Sequence, residues 1–200
     1  MLDARRVNQF LTRLYCNRFI GFVCCWFFCS GLMIQVVQAQ PRAAGGAGRP
    51  ARNQGMLRNG DDAPDFSLRT YDGSQVITLS KLRGKPVVLV FGSCTCPPFV
   101  RSTSMINSLV DEYGKDVNFL MIYIREAHPI GGREVPNNQF QVNAPTTLSQ
   151  RCELAEDFDD RIQMQMPIVV DTIDDTVADV YAPWPNRMVV LDGNGKIVDV

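Results

Sequence analysis

Outside its first 39 residues the 200-residue sequence has three cysteines, Cys94, Cys96 and Cys152, and one histidine, His128. An odd cysteine count with one close pair argues against a disulfide-stapled scaffold and leaves a pair plus a spare thiol. A zinc centre takes four ligands, and beside Cys94 and Cys96 only Cys152 and His128 remain as candidates. A metal carrier is therefore an alternative reading of the pair, not the first. Basic charge is also scarce. From Gln40 onward 16 Lys+Arg face 20 Asp+Glu, a net charge of −4, which gives no footing for nucleic-acid binding. No apolar run beyond residue 37 is long enough to cross a membrane.

What the first 39 residues do contain is an export pattern. Arg5, Arg6, Arg13 and Arg18 stand against one acid, Asp3, and are followed by a nearly continuous apolar run over 19–37. Val37-Gln38-Ala39 fits a small-residue cleavage site, so a signal peptide cut after Ala39 is expected. The run is also almost long enough to span a bilayer, which makes an uncleaved anchor at residues 19–37 the alternative and a membrane contact its consequence. Either way the remainder is expected outside the cytoplasm, in a periplasmic or other extracytoplasmic space. The leader's own cysteines (Cys16, Cys24, Cys25, Cys29) drop out of the count. Residues 40–59, rich in Pro, Gly, Ala and Arg, read as a flexible linker. One domain of about 140 residues, 60–200, follows and is long enough for a single core.

The centre of that domain is 86–99. The valine-rich run Pro86–Phe91 reads as a buried strand. Gly92-Ser93 ends it, and Pro97-Pro98 open a helix expected over about 97–113. Cys96 therefore falls at the N-cap, at the carboxyl end of a strand, where α/β folds keep their chemistry. The helix dipole and its free N–H groups favour a thiolate and a depressed thiol pKa there. Two prolines remove two donors, leaving the N–H of Phe99 and that of Cys96 itself. A Cys94–Cys96 disulfide would close a very small, easily reduced ring, which suits a catalytic pair better than a structural one.

The surrounding pattern is regular. Strands at 65–70 and 76–79 around the turn Tyr71–Ser74 read as a hairpin, and Ser80–Gly84 as a short helical turn. Val117–Ile124 (VNFLMIYI) is a second buried strand, giving a right-handed β-α-β unit over 86–124. Residues 125–144, with Gly131-Gly132 and Pro136, form a long irregular loop of the kind that carries function. A helix at 147–164, a strand at 166–171, a short helix at 174–181 and a hairpin of 188–191 with 196–200 complete the chain. This order is that of an α/β, thioredoxin-like fold with an N-terminal β-hairpin, a three-layer α/β/α of peroxiredoxin type. His128 lies two positions past Glu126 at a strand end, so the carboxylate is expected to hold one imidazole tautomer.

Three stretches (Gly60-Asp-Asp-Ala-Pro-Asp-Phe-Ser-Leu68, Leu79-Ser-Lys-Leu-Arg-Gly-Lys-Pro86, Leu191-Asp-Gly-Asn-Gly-Lys-Ile197) resemble exported redoxin and peroxiredoxin domains. More specific are Phe91-Gly-Ser-Cys-Thr-Cys-Pro-Pro-Phe99 and Ile122-Tyr-Ile-Arg-Glu-Ala-His128. These resemble the iodothyronine deiodinases, whose loop reads Gly-Ser-Cys-Thr-selenocysteine-Pro and whose strand ends Tyr-Ile-Glu-Glu-Ala-His. Val169-Val-Asp-Thr172 and the strand entry at Asn186-Arg187 also fit. The resemblance spans about 60–200 and, as read, ends before that family's glycine-rich turn and final helix.

The resemblance implies that Cys96 stands in for selenocysteine as the attacking atom and Cys94 resolves it. It places Glu126 and His128 at the reaction and Ser93, Thr95 and Tyr123 in a supporting polar network. The implied substrate is an iodinated aromatic. No bound cofactor or metal is implied, only an external thiol reductant or a thioredoxin-like protein as co-substrate; a homodimer is also in keeping with the resemblance. Two further enzyme readings stay open. A thiol peroxidase would oxidise Cys96 to a sulfenic acid resolved by Cys94 or Cys152. An exported thiol-disulfide oxidoreductase would reduce protein disulfides, although most such enzymes use C-x-x-C.

Overall fold

The structure, a computed structural model, describes residues 57–200. The expected leader, and all of the linker before residue 57, lie outside them. The β-hairpin is β1 (Ser67–Arg69) and β2 (Val76–Thr78), antiparallel with Leu68 opposite Ile77, followed by a 3-10 turn at Leu79–Leu82. Then come β3 (Val87–Gly92), α1 (Pro97–Tyr113), β4 (Asn118–Tyr123), α2 (Leu148–Ile162), β5 (Ile168–Val170), α3 (Thr176–Tyr181), β6 (Arg187–Leu191) and β7 (Ile197–Asp199). Each element expected from the sequence is present, with ends shifted by one or two residues.

The five-stranded sheet runs β5-β4-β3-β6-β7. β3 pairs in parallel with β4 and antiparallel with β6. Flanked on both sides, it buries all six of its residues, which is why its sequence shows no polar alternation. Side chains of a strand alternate between faces. Val87, Leu89 and Phe91 of β3, with Leu120, Ile122 and Ile124 along β4, join Phe66, Leu68, Val177, Ala178 and Tyr181 in one core. That face is covered by the hairpin segment and α3. On the opposite face Tyr123 meets Phe158 of α2 at 6.1 Å, and Phe158 stacks on Phe99 of α1 at 5.7 Å. Two helices on one side and one on the other give the three expected layers.

Gly114 caps α1 in a right-handed conformation (φ −61°), so it is not there for positive φ; a Cβ would lie 2.6 Å from the Val110 carbonyl oxygen. On α2 the buried face holds Arg151 with Ala155 and Phe158, while Leu148 is exposed. Arg151 NH1 donates to the carbonyls of Asp171 (3.3 Å) and Thr172 (2.6 Å) and pairs with Asp175 at 3.0 Å. Register matters most for the site. Gly92 sits beside Tyr123 in parallel strands, so Ser93–Cys96 and Arg125–His128 leave the sheet side by side at its carboxyl edge.

Candidate active site

Cys96 is the N-cap of α1, in extended geometry (φ −92°, ψ 100°), with prolines at the first two helical positions. Its carbonyl accepts from Val100 N (3.0 Å), the first turn's backbone bond. Its own N–H donates to the Ser93 carbonyl at 3.2 Å, so that N–H is not free for the sulfur. The donor that does reach the sulfur comes from elsewhere: Asn186 Nδ2 lies 3.1 Å from Cys96 Sγ. Asn186 immediately precedes β6, whose Arg187 pairs with Phe91 of β3, and this register sets it beside the turn. The turn is packed closely from below. A Cβ on Gly92 would lie 2.5 Å from the Phe99 ring, so glycine before Ser93 lets the first turn of α1 sit down on the strand end.

Cys94 is in a different environment. Both it and Cys96 are 1% exposed, so the difference lies in their partners: the Cys94 thiol donates to Glu126 Oε2 at 3.4 Å. Burial, then the Glu126 charge, pushes its pKa well up, so at neutral pH it is a thiol. Glu126, 6% exposed, organises the turn. Oε2 also accepts from Thr95 N (3.0 Å) and Thr95 Oγ1 (2.5 Å), and Oε1 accepts from the Tyr123 hydroxyl at 2.5 Å. The Cys94 N–H donates to that same hydroxyl at 3.3 Å. Burial and then the Glu126 charge hold the Tyr123 phenol far above its usual range. These partners are neutral, and a buried carboxylate of this kind is tolerated because its lone pairs are filled.

His128 joins the turn through its backbone, its N–H donating to Thr95 Oγ1 at 3.0 Å. The expected imidazole–Glu126 bond is not the one made. Nδ1 lies 2.6 Å from the Arg133 carbonyl oxygen, and since a carbonyl only accepts, Nδ1 carries the proton and Nε2 is the ring's other nitrogen, an acceptor in the neutral imidazole. The long loop supplies that carbonyl and two more anchors. Asn138 Nδ2 donates to the Thr95 carbonyl at 2.9 Å, and Phe140, 1% exposed, packs on Phe158 at 5.9 Å.

Of the residues singled out from the sequence, Cys94, Thr95, Cys96, Tyr123, Glu126 and His128 are brought together. Ser93 belongs to the turn by its carbonyl, while its hydroxyl is buried with no hydrogen-bond partner among the described residues. Cys152 is a free, half-buried thiol on α2, next to Arg151 in sequence; Cys94 and Cys96 are also free thiols. No cluster of three or more His, Cys, Asp or Glu able to hold a metal occurs among the described residues. Asn186 and Asn138 were missed as site residues. Position 186 stood in a matching strand entry, but nothing in the sequence assigned its amide to the sulfur. Beside the site, Arg125 lies over the half-exposed Trp184 ring at 4.6 Å while bonding Asp175 at 3.0 Å. No helix of the described residues is long and apolar enough to cross a membrane.

The model of the family described as iodothyronine deiodinase matches residues 50–199. A thyroxine 5-deiodinase of Ovis aries is 33% identical over 141 residues, which is 68% of this chain and 47% of the relative. A type I iodothyronine deiodinase of Xenopus laevis is 33% identical over 140 residues, 70% of this chain and 54% of the relative. The chain thus spans about half the length of these curated relatives. Among solved structures, a putative thiol:disulfide interchange protein DsbE from Chlorobium tepidum superposes with a TM-score of 0.55 at 21% identity, covering 72% of this chain and 84% of that one. That likeness is one of fold alone, and it makes the fold thioredoxin-like. With the deiodinase loop and strand-end motifs at the same turn, and a family match across three quarters of its length, this chain belongs to the iodothyronine deiodinase family.

Proposed function

We propose that this protein removes iodide reductively from an iodinated aromatic substrate, with Cys96 as attacking sulfur and Cys94 as resolving thiol. The observation that carries this is the unlike treatment of two sulfurs two residues apart. Cys96 accepts a hydrogen bond at a helix N-cap, whereas Cys94 donates one to a buried carboxylate. A thiolate is the nucleophilic form. The Cys96 thiolate attacks iodine; the carbon–iodine bond breaks, the ring carbon takes its electron pair and a proton, and a sulfenyl iodide forms. Cys94, giving its proton to Glu126, attacks the Cys96 sulfur, and iodide leaves as the disulfide forms. Two equivalents of an external thiol, or one reduced thioredoxin-like protein, return both sulfurs to thiols, and no bound cofactor is needed. His128 offers Nε2 to the substrate, as imidazolium to supply the ring proton or as imidazole to accept from a hydroxyl. The leader's charge and apolar run support an exported site, either released after Ala39 or anchored by residues 19–37.

The test uses the reduced full chain with excess dithiothreitol and an iodothyronine, following iodide release and, in parallel, hydrogen peroxide consumption. Wild type should release iodide and Cys96→Ser should release none. Cys94→Ser should still release the ring product on the first turnover and then slow by about ten-fold or more. Peroxide turnover without iodide release would replace the proposal with a thiol peroxidase, and silence in both assays would leave neither standing.

A further inference from the structure

We propose that Asn186 is the residue that keeps Cys96 ready to attack, by donating its side-chain amide to the thiolate. The inference rests on Cys96 being the attacking sulfur. A cysteine at a helix N-cap ordinarily draws on the free N–H groups of the first turn. Here Pro97 and Pro98 carry none, the N–H of Cys96 itself is given to the Ser93 carbonyl, and the remaining first-turn N–H, that of Phe99, makes no cap bond to the sulfur. What reaches the sulfur is Asn186 Nδ2 at 3.1 Å, supplied from 90 residues away in sequence. A neutral amide donating to an anion is a charge-assisted bond, stronger toward the thiolate than toward the thiol. It therefore favours the charged form without adding a cation that would compete for the substrate.

The other groups of the surrounding elements do not duplicate that role. Cys94, in the same turn, and Glu126 are occupied with each other. The Nδ1 of His128 is held by the Arg133 carbonyl. Arg187, next to Asn186 on β6, gives NH1 to the Tyr181 carbonyl at 3.2 Å. α1 has no acid in its first turn, and Arg101 is exposed. Asn186 is thus a positioning residue for the sulfur, fixed by the β3–β6 register and not by the motif in which Cys96 sits.

The test reads Cys96 directly and needs no substrate. The reduced full chain is alkylated with iodoacetamide between about pH 6 and 10, and fragment-ion mass spectrometry separates Cys96 from Cys94 in the same peptide. Relative to wild type, Asn186→Ala should lower the Cys96 rate at pH 7 about ten-fold and move its pH profile up by about one unit. The rate reached on the alkaline plateau should stay the same. Asn186→Asp keeps the shape but turns the donor into a charged acceptor, so it should shift the profile at least as far; it carries the test should the alanine variant fail to fold. Profiles that superimpose on wild type overturn the proposal. So does a rate that falls by one factor at every pH, because that is a change of access and not of charge. If wild type releases no iodide yet the profile shifts, deiodination falls and this inference stands. Iodide release with unshifted profiles means the reverse.

Discussion

The contact between Gly92 and Phe99 gives a sharp measure of how the site's backbone is held. A Cβ built on Gly92 would lie 2.5–2.6 Å from three ring carbons of Phe99, where ordinary contact begins near 3.4 Å. The ring would have to withdraw by about 1 Å. It has nowhere to go, because it is 3% exposed and stacked at 26° on Phe158, itself fully buried and packed by Tyr123 and Phe140. The first turn of α1 would have to lift instead, taking Cys96 with it. Overpacking of this kind costs about 1–3 kcal/mol. Phe99→Ala alone should cost about 3–5 kcal/mol through the cavity it leaves. In the Phe99→Ala background the obstruction is gone, and Gly92→Ala should become neutral or slightly stabilising, as for a glycine replaced within a strand. Urea unfolding of the four reduced proteins gives the cycle, with an expected coupling of about 1–3 kcal/mol. A Gly92→Ala variant within about 0.5 kcal/mol of wild type, or strict additivity, would refute the reasoning.

Cys94 predicts an alkaline signature. Its folded pKa is raised above the ordinary 9.0, so the native state keeps a proton that the unfolded chain releases above pH 9. The associated stability is complete below pH 9 and is lost as pH rises, by up to about 1.4 kcal/mol per unit. Between pH 9 and 10 the unfolded tyrosines begin to titrate alike in both proteins, so the difference isolates the thiol, and Cys94→Ser should lose about 1 kcal/mol less than wild type in denaturant titrations. Equal slopes would show that the thiol is not held protonated. Arg151→Met keeps the bulk but strips donors from the carbonyls of Asp171 and Thr172 and a cation from Asp175. It should cost about 2–4 kcal/mol, read by the same titrations. A loss under about 0.5 kcal/mol would mean that the remaining Arg125–Asp175 pair suffices.

Which parts were readable from the sequence follows from how far apart the interacting groups lie. A strand, its terminating Gly92-Ser93 and the two prolines that start a helix are neighbours in the chain, so β3, α1 and the N-cap place of Cys96 could be read directly. The long loop after β4 could be read as the kind that carries function, but its anchors on the turn could not. The His128 ring is fixed by a main-chain carbonyl, that of Arg133, and every residue offers one of those. Arg151 sits where helical periodicity alone would not put a cation, buried because two carbonyls and Asp175 await it.

The difference between the two sulfurs lies deeper than the motif that contains them. In Cys94-Thr95-Cys96 the N-cap place points to Cys96, but Pro97 and Pro98 remove two of the donors that would act on its sulfur there. The unlike partners come from 32 residues downstream for Cys94 and 90 for Cys96. β4 brings a carboxylate acceptor to one sulfur, and β6 brings an amide donor to the other. Parallel pairing of β3 with β4 and antiparallel pairing with β6 deliver both to the same strand end. The sheet order, more than the cysteine spacing, gives the two sulfurs their unlike partners, and the proposed roles of attacker and resolver rest on that difference.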